Sequence, residues 1–177
     1  MTTNRRIAVR EAVVEDAPEL VRLRALMFAA MAARPGGGPG EPGDPGPDGP
    51  WRRTAERLLR ERLAAPADRR TLQAYVVDDP ECAGRLAACA VGTLEERLPA
   101  PGHPDGRFGF VFNICTDPGR RRRGYARACT EALIGWFDAR RVTRIDLHAT
   151  DDGEELYRSL GFGEHARPLS RQRLIAD

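Results

Sequence analysis

The chain reads FNICTDPGRRRRGYA at positions 112–126, where a predicted strand passes into a predicted helix. A strand is predicted over Arg107–Thr116 because apolar residues alternate there, which places four of them on one face: Phe108, Phe110, Phe112 and Ile114. Helical spacing follows within Arg120–Arg140, where four apolar residues form one stripe: Ala126, Cys129, Leu133 and Phe137. The strand, the turn and the helix together predict the first half of a strand–helix–strand crossover.

The turn between that strand and that helix has the features of an anion site. Backbone N–H groups in the first turn of a helix have no partners within the helix, and the helix dipole adds positive charge there. Gly124 allows phosphate oxygens to approach the backbone, and the small Ala126 avoids a collision with them. Neither the dinucleotide-binding pattern G-x-G-x-x-G nor a P-loop ending in Gly-Lys occurs. Two alternatives remain open for Arg120–Arg123: an RNA or DNA patch, and an ordinary solvated helix start.

Other elements are predicted on both sides of this junction. Upstream, the patterns indicate two helices and three strands: a strand at Ile7–Arg10, helices at Val14–Met31 and Trp51–Leu63, and strands at Thr71–Val77 and Leu86–Leu94. Downstream they indicate a strand at Thr143–Ala149, a helix over about Gly153–Leu160, and last strands in the tail through Leu174. This order predicts one mixed α/β domain over residues 1–177.

Residues 34–50 interrupt that pattern, since 13 of the 17 positions are Gly or Pro. Such a segment offers almost no apolar surface to bury and loses much backbone entropy when it becomes ordered. We predict a flexible surface loop, with a lid over bound substrate as the alternative.

Composition excludes several classes of function. The net charge of +2 gives no general support to a nucleic-acid role, and the absence of Lys rules out Schiff-base and Walker lysine chemistry. The four cysteines form no C-x-x-C pair and none stands at metal-ligand spacing from a His, so we expect no metal site. No signal-like segment and no apolar run of about 18 residues occurs, which predicts a cytoplasmic protein with reduced thiols and no membrane partner.

Two segments resemble the GNAT superfamily of N-acetyltransferases. Arg121-x-x-Gly124-x-Ala126 is similar to that family's Q/R-x-x-G-x-G/A motif, and residues 155–162, ELYRSLGF, resemble its later L-Y-x-x-L-G-F segment. The resemblance covers about Phe108 to Phe162. It implies a mixed α/β (α+β-like) fold with a mostly antiparallel sheet of about 6–7 strands, splayed parallel central strands and about four flanking helices.

The resemblance also implies where acetyl-CoA, the expected co-substrate, binds. It would lie between the strands Arg107–Thr116 and Thr143–Ala149, where they part. The backbone of three residues would pair with the pantetheine amides: Ile114, Cys115 and Thr116. The pyrophosphate would be held around the turn by Arg121, Arg122, Arg123, Gly124, Tyr125, Ala126 and Arg127. Thr150 stands where many relatives carry Asn, and we expect it to keep one contact to the cofactor.

The implied reaction is an acyl-CoA-dependent N-acyltransfer, in which a primary amine attacks the thioester directly within a ternary complex. A backbone N–H near Cys115 would stabilise the oxyanion. Tyr157 would be the general acid, since a phenol with a reference pKa of about 10 is protonated at neutral pH; the alternative is a packing role beside Phe162. His148 is the candidate base, with Asp151, Glu154, a water chain or a purely structural histidine as alternatives. For Cys115 and Cys129, packing is favoured over a covalent acyl-cysteine role.

Two other classes of function remain as alternatives. One is an acyl-CoA-binding module of the same fold without catalysis, and the other is an RNA-binding protein that uses Arg120–Arg123. We expect the acceptor to be an amine of a small molecule or a peptide, with no nucleic-acid partner, and the resemblance allows a homodimer. The sequence does not identify the acceptor; three residues are candidates to line its pocket: Trp51, Asp105 and Arg107.

Overall fold

The computed structural model of the protein describes residues 7–33 and 49–165. Within these ranges five strands and four α-helices follow one another along the chain, with two single-turn 3-10 helices at Val14–Asp16 and Pro118–Arg120. The elements are β1 (Arg10–Glu11), α1 (Ala17–Ala32), α2 (Pro50–Leu63), β2 (Leu72–Asp78), β3 (Leu86–Glu96), β4 (Arg107–Thr116), α3 (Tyr125–Asp138), β5 (Arg144–Leu147) and α4 (Asp151–Ser159).

The five strands form one sheet in the order β1-β2-β3-β4-β5. Neighbouring strands run antiparallel from β1 to β4, whereas β4 and β5 are parallel and are joined through α3. The mixed, mostly antiparallel architecture predicted from the sequence is confirmed. The expected 6–7 strands are too many for the described residues, which contain five; the strands predicted in the tail fall mainly on residues 166–177, outside the described ranges.

The pairing between β4 and β5 ends at a bulge in β4. Val91 of β3 pairs with Asn113 and the next residue, Gly92, pairs with Val111, so Phe112 is an extra residue without a partner in the ladder. β5 stops pairing with β4 at the step from Val111 to Leu147, immediately before this extra residue. Because a bulge bends its strand and increases the local twist, it accounts for the end of pairing between β4 and β5 at this point.

The bulge also corrects the sequence prediction that four alternating apolar residues of β4 share one face. Phe112 packs with the core on the α1 side of the sheet, whereas Ile114 packs with the core on the α3 side. One inserted residue reverses the facing of all later side chains relative to a simple alternation. The prediction was therefore wrong beyond the bulge, although the bounds of the strand itself were right.

The sheet has a hydrophobic core on each face. The core beneath α1 and α2 is built on seven fully buried residues: Leu20, Leu23, Ala74, Val76, Leu86, Cys89 and Val91. The core beneath α3 centres on Phe137, whose ring lies over Gly92 and Gly109; an added Cβ at either glycine would stand 2.9 Å from that ring. This close approach fixes α3 against the sheet, with the first turn of the helix following the end of β4.

Several helices and strands begin or end at other residues than the sequence predicts. α2 begins at Pro50, with Gly49 as its N-cap, so the loop predicted at 34–50 ends earlier, and its residues 34–48 lie outside the described ranges. The helix predicted from Arg120 begins at Tyr125, because the turn before it contains residues with positive φ. The first strand is Arg10–Glu11 rather than Ile7–Arg10, β5 is shorter than predicted, and α4 begins at Asp151. Among the helices of the described ranges, none has the length and apolar character needed to cross a membrane.

Candidate active site

The first turn of α3 presents a row of unused backbone donors. The amides of residues 121–127 donate no hydrogen bond to any atom within residues 7–33 and 49–165. Arg122 and Gly124 have φ values of 62° and 79°, a left-handed conformation that turns the chain sharply before the helix. Successive amides around such a turn form an anion-binding concavity, to which the helix dipole adds positive charge. We call residues 121–127 the cradle.

A partly buried ion-pair network anchors the chain just before the cradle. Arg22 donates to Asp117 Oδ2 at 2.8 Å and Arg85 donates to the same oxygen at 2.9 Å, while the Gly119 amide donates to Oδ1 at 3.1 Å. Burial alone would raise the pKa of Asp117, but the hydrogen bonds from Arg22 and Gly119 outweigh it and lower the pKa below its ordinary value. Asp117 is therefore a fixed carboxylate that joins α1 and the start of β3 to the cradle.

The four consecutive arginines divide into two kinds. Arg120 donates from Nε to Asp79 Oδ1 at 3.0 Å and also lies 3.0 Å from a Glu81 oxygen, while Arg123 is 3.9 Å from Glu81. Arg121 and Arg122 are exposed and form no ion pair or hydrogen bond within the described residues. With half of the run neutralised by nearby carboxylates, the RNA-patch alternative loses support, and the remaining two charges belong to the cradle itself.

The open edge of β4 adjoins the cradle. Residues 114–116 pair with residues 88–90 of β3 on one side, and β5 is no longer paired to them on the other. An edge strand has unpaired N–H and C=O groups that can form a ladder with another extended chain. The structure thus brings together the residues predicted for the pantetheine and those predicted for the pyrophosphate.

The thiols of Cys115 and Cys129 lie in the core. Burial raises the pKa of Cys115 to about 11 and that of Cys129 to about 12. The thiolate is the nucleophilic form of cysteine, so both side chains are unreactive near neutral pH. These environments support the packing role over an acyl-cysteine.

A cleft with a volume of about 690 Å³ brings the two predicted catalytic residues into one cavity. Tyr157 and His148 both line it, together with Phe110 and Phe162. The Tyr157 ring is half-buried and meets Phe162 edge to face at 6.2 Å between ring centroids, and the His148 ring meets Phe110 in the same way at 5.4 Å. Burial raises the pKa of the Tyr157 phenol above its ordinary value.

The remaining residues predicted for the site differ in whether they line this cleft. Thr150 is the N-cap of α4: its carbonyl accepts from the amides of Gly153 and Glu154, and its hydroxyl makes no capping bond. Glu154 lines the cleft and pairs with Arg158 at 2.7 Å, whereas Asp151 is exposed in the first helical turn. The three residues suggested for an acceptor pocket, Trp51, Asp105 and Arg107, do not line this cleft.

Asp105 and Arg107 are engaged elsewhere. Asp105 forms an ion pair with Arg141 at 3.0 Å, and Arg107 donates to the carbonyl oxygen of Arg140 at 3.2 Å. Trp51 packs edge to face on Phe28 at 5.8 Å. Within the described ranges, His, Cys, Asp and Glu form no cluster of three or more that could hold a metal ion.

Sequence reasoning missed three kinds of supporting residue. Arg22 and Arg85 hold Asp117 across 95 and 32 positions, a relationship that no local pattern reveals. Ser159 accepts a hydrogen bond of 2.6 Å from Arg127, so α4 is tied to the cradle. Of these residues, only Gly153 could have been found from the sequence. It stands four residues before Tyr157, and residues at that spacing lie on the same face of a helix.

Fold and site together define a class: a mixed α/β protein with a row of unused backbone amides at a helix start, beside two parallel strands whose pairing ends at a bulge. A scan against protein families matches residues 41–162 to the acetyltransferase (GNAT) family. The match spans more than half of the chain, and the protein therefore belongs to the GNAT family of acetyltransferases.

Solved structures agree with this fold. A predicted acetyltransferase from Clostridium acetobutylicum, solved with acetyl-CoA, superposes with a TM-score of 0.74 at 20% identity, covering 94% of this chain and 96% of that one. A GCN5-related N-acetyltransferase from Ralstonia eutropha JMP134 gives 0.68 at 24% identity, covering 92% and 98%. Glucosamine-6-phosphate N-acetyltransferase from Arabidopsis thaliana gives 0.67 at 12% identity, covering 94% and 97%. The search of curated proteins finds no match.

Proposed function

We propose that the protein transfers an acetyl group from acetyl-CoA to a primary amine of a small molecule or peptide. The observation that carries this proposal is the row of unused amides at residues 121–127, next to the open edge of β4. A pyrophosphate needs several donors and positive charge within a few ångströms, and the cradle offers both. Acetyl-CoA would supply an acetyl group activated as a thioester; all other tasks fall to residues of this chain.

The first task is to hold and orient the co-substrate. The amides of residues 121–127 would bind the pyrophosphate, with Arg121 and Arg122 neutralising its charge. The free edge of residues 114–116 would pair with the pantetheine amides, and one N–H near Cys115 would stabilise the oxyanion. Thr150, at the N-cap of α4, would offer its hydroxyl to the same co-substrate. The fixed geometry of β4 lowers the entropy lost in bringing thioester and amine together.

Tyr157 would hold the proton that the departing sulfur receives. A general acid must be protonated at the working pH, and the raised pKa of this half-buried phenol keeps the proton on Oη throughout the neutral range. The ring is fixed by Phe162 in the cleft that His148 also lines.

His148 would accept the proton that the attacking amine loses. Its side chain is exposed to the cleft, so proton transfer can take place directly or through one water. Glu154 is the weaker candidate, because its carboxylate already accepts a hydrogen bond from Arg158 at 2.7 Å.

The test measures release of free thiol from acetyl-CoA with a panel of primary amines, and mass spectrometry identifies the acetylated product. We expect release above the rate of spontaneous hydrolysis for at least one amine. Tyr157→Phe should lower kcat about 100-fold with little change in acetyl-CoA affinity. Tight binding of acetyl-CoA without release for any amine would support a non-catalytic binding module instead. RNA binding that acetyl-CoA does not compete with would contradict the proposal.

A further inference from the structure

Gly153 and Tyr157 stand four residues apart on α4, so they occupy the same face of the helix. The tyrosine ring leans back over the glycine, as long side chains on helices do. A Cβ placed on Gly153 would stand 2.7 Å from Cε2, 3.1 Å from Cζ and 3.2 Å from Oη of Tyr157. The hydroxyl end of the ring therefore occupies the space that any other residue at position 153 would fill.

The ring has a neighbour on another side as well. Phe162 meets it edge to face, with 6.2 Å between centroids and 71° between planes. The backbone of Gly153 is itself fixed, because its amide donates to Thr150 O at 2.8 Å. A methyl group at position 153 would therefore displace the end of the tyrosine side chain rather than the helix.

We propose that Gly153 is a positioning residue for catalysis, whose missing side chain sets the place of the Tyr157 hydroxyl. This inference rests on the proposed function, in which Tyr157 is the general acid. Proton transfer requires heavy atoms within hydrogen-bond reach, so a small displacement of Oη costs rate without weakening the binding of the co-substrate.

Stability and activity should then change in opposite directions. Ala is favoured over Gly inside a helix by about 1 kcal/mol, so Gly153→Ala should keep or raise the melting temperature. We expect the same variant to lower kcat about tenfold, with the KM for acetyl-CoA changed less than about twofold. A merely structural glycine would not produce this combination.

Gly135 provides the matched control. It lies inside α3, and a Cβ added there would meet no atom within 4 Å. Gly135→Ala should gain the same helix propensity and leave kcat unchanged.

A spectroscopic measurement tests the geometry without any acceptor. The chain has three tyrosines, Tyr75, Tyr125 and Tyr157, so protein labelled with ¹³C at tyrosine Cζ gives three signals. Tyr157→Phe assigns the third signal. Gly153→Ala should move the Tyr157 signal and leave the other two in place. An unmoved Tyr157 signal would overturn the inference whatever the protein catalyses.

A double-mutant cycle tests the link to the reaction. If Gly153 acts through the hydroxyl of Tyr157, Gly153→Ala should cost about tenfold in the wild-type chain and nothing further in Tyr157→Phe. An equal loss in both backgrounds would show that Gly153 makes room for another group and would overturn the inference. Failure of the proposed function looks different: wild type itself would release no thiol with any amine, while the displaced Tyr157 signal would still be observed.

Discussion

Arg127 Nη2 donates a hydrogen bond of 2.6 Å to Ser159 Oγ, which joins the first turn of α3 to the last turn of α4. The same hydroxyl donates to Leu156 O at 2.6 Å, so it is held from both sides. The cradle and the helix that carries Tyr157 are therefore connected by a direct contact between side chains. Arg127 makes this contact with its side chain, and its backbone amide is a separate group that belongs to the proposed pyrophosphate site.

We predict that breaking this contact lowers turnover more than affinity. Ser159→Ala and Arg127→Met should each reduce kcat about two- to fivefold, a modest loss because the contact is exposed to solvent. The double variant should lose no more than either single one, since both remove the same bond. Glu131→Gln, which removes the looser 3.6 Å partner of Arg127, should leave kcat unchanged. Additive losses in steady-state kinetics would refute the connection.

The raised pKa of Tyr157 predicts the alkaline side of the pH profile. A general acid works only while protonated, so kcat should fall as pH rises through the phenol pKa. Because burial raises that pKa above the reference of about 10, the fall should lie at pH above about 10. With chemistry limiting the rate, Tyr157→Phe should abolish this limb. A limb that survives in the variant would belong to another group.

The acidic side of the profile tests His148. A base must be deprotonated to accept a proton, so the rate should fall at acidic pH. His148→Gln should remove this limb and lower kcat/KM about 100-fold. His103, which is bonded to Thr143 at 2.7 Å and does not line the cleft, provides a control, and His103→Gln should keep the limb. A wild-type limb in His148→Gln would exclude this histidine as base.

Asp117 predicts a pH-dependent contribution to stability. Its pKa is lower in the folded chain than in the unfolded one, so its stabilisation is full above the unfolded pKa of about 3.9 and is lost as pH falls through the folded pKa. Asp117→Asn should cost about 2 kcal/mol at neutral pH, or about 4–8 °C in Tm. The difference from wild type should shrink below about pH 4.

Thermal unfolding between pH 3 and pH 7 checks this dependence. The side chain of Asp68 is 77% exposed, so Asp68→Asn should leave Tm nearly unchanged. A pH-independent difference between Asp117→Asn and wild type would mean that the variant disturbs packing instead of removing the ion-pair network.

Local sequence was enough to predict the strand, the turn and the helix around Gly124. Glycine at a left-handed position and a small residue at Ala126 are requirements of the backbone itself, so they leave a mark at fixed spacing. The same holds for Tyr157, whose helix and flanking Gly161-Phe162 are local features. The general architecture followed from the order of such segments.

Contacts between residues far apart in the chain leave no comparable pattern in the local sequence. The bulge at Phe112 depends on how β3 pairs with β4, and alternation within one strand cannot reveal it. The partner of Arg120 is Asp79, 41 positions away, so the sequence alone does not show that the four arginines differ in their ion pairing. The supporting network of Arg22, Arg85 and Asp117 was missed for the same reason.

The turn at Gly124 is the proposed binding site for the pyrophosphate of acetyl-CoA. Gly124→Ala places a side chain on a residue with φ of 79°, at a cost of about 1–2 kcal/mol, and its Cβ would lie 3.3 Å from Ile7 Cδ1. Gly119→Ala, in the same loop, adds only an ordinary contact 3.7 Å from Asp117 Oδ1. Comparing the two variants therefore separates the effect of the left-handed turn at Gly124 from the effect of an added methyl group elsewhere in the loop.

Isothermal titration of acetyl-CoA and desulfo-CoA into wild type, Gly124→Ala and Gly119→Ala measures this directly. We expect wild type and Gly119→Ala to bind each ligand with similar Kd, and Gly124→Ala to bind each at least tenfold more weakly, about 1.4 kcal/mol. Equal affinity in Gly124→Ala and wild type, or no binding of either ligand to wild type, would contradict a pyrophosphate site at this turn.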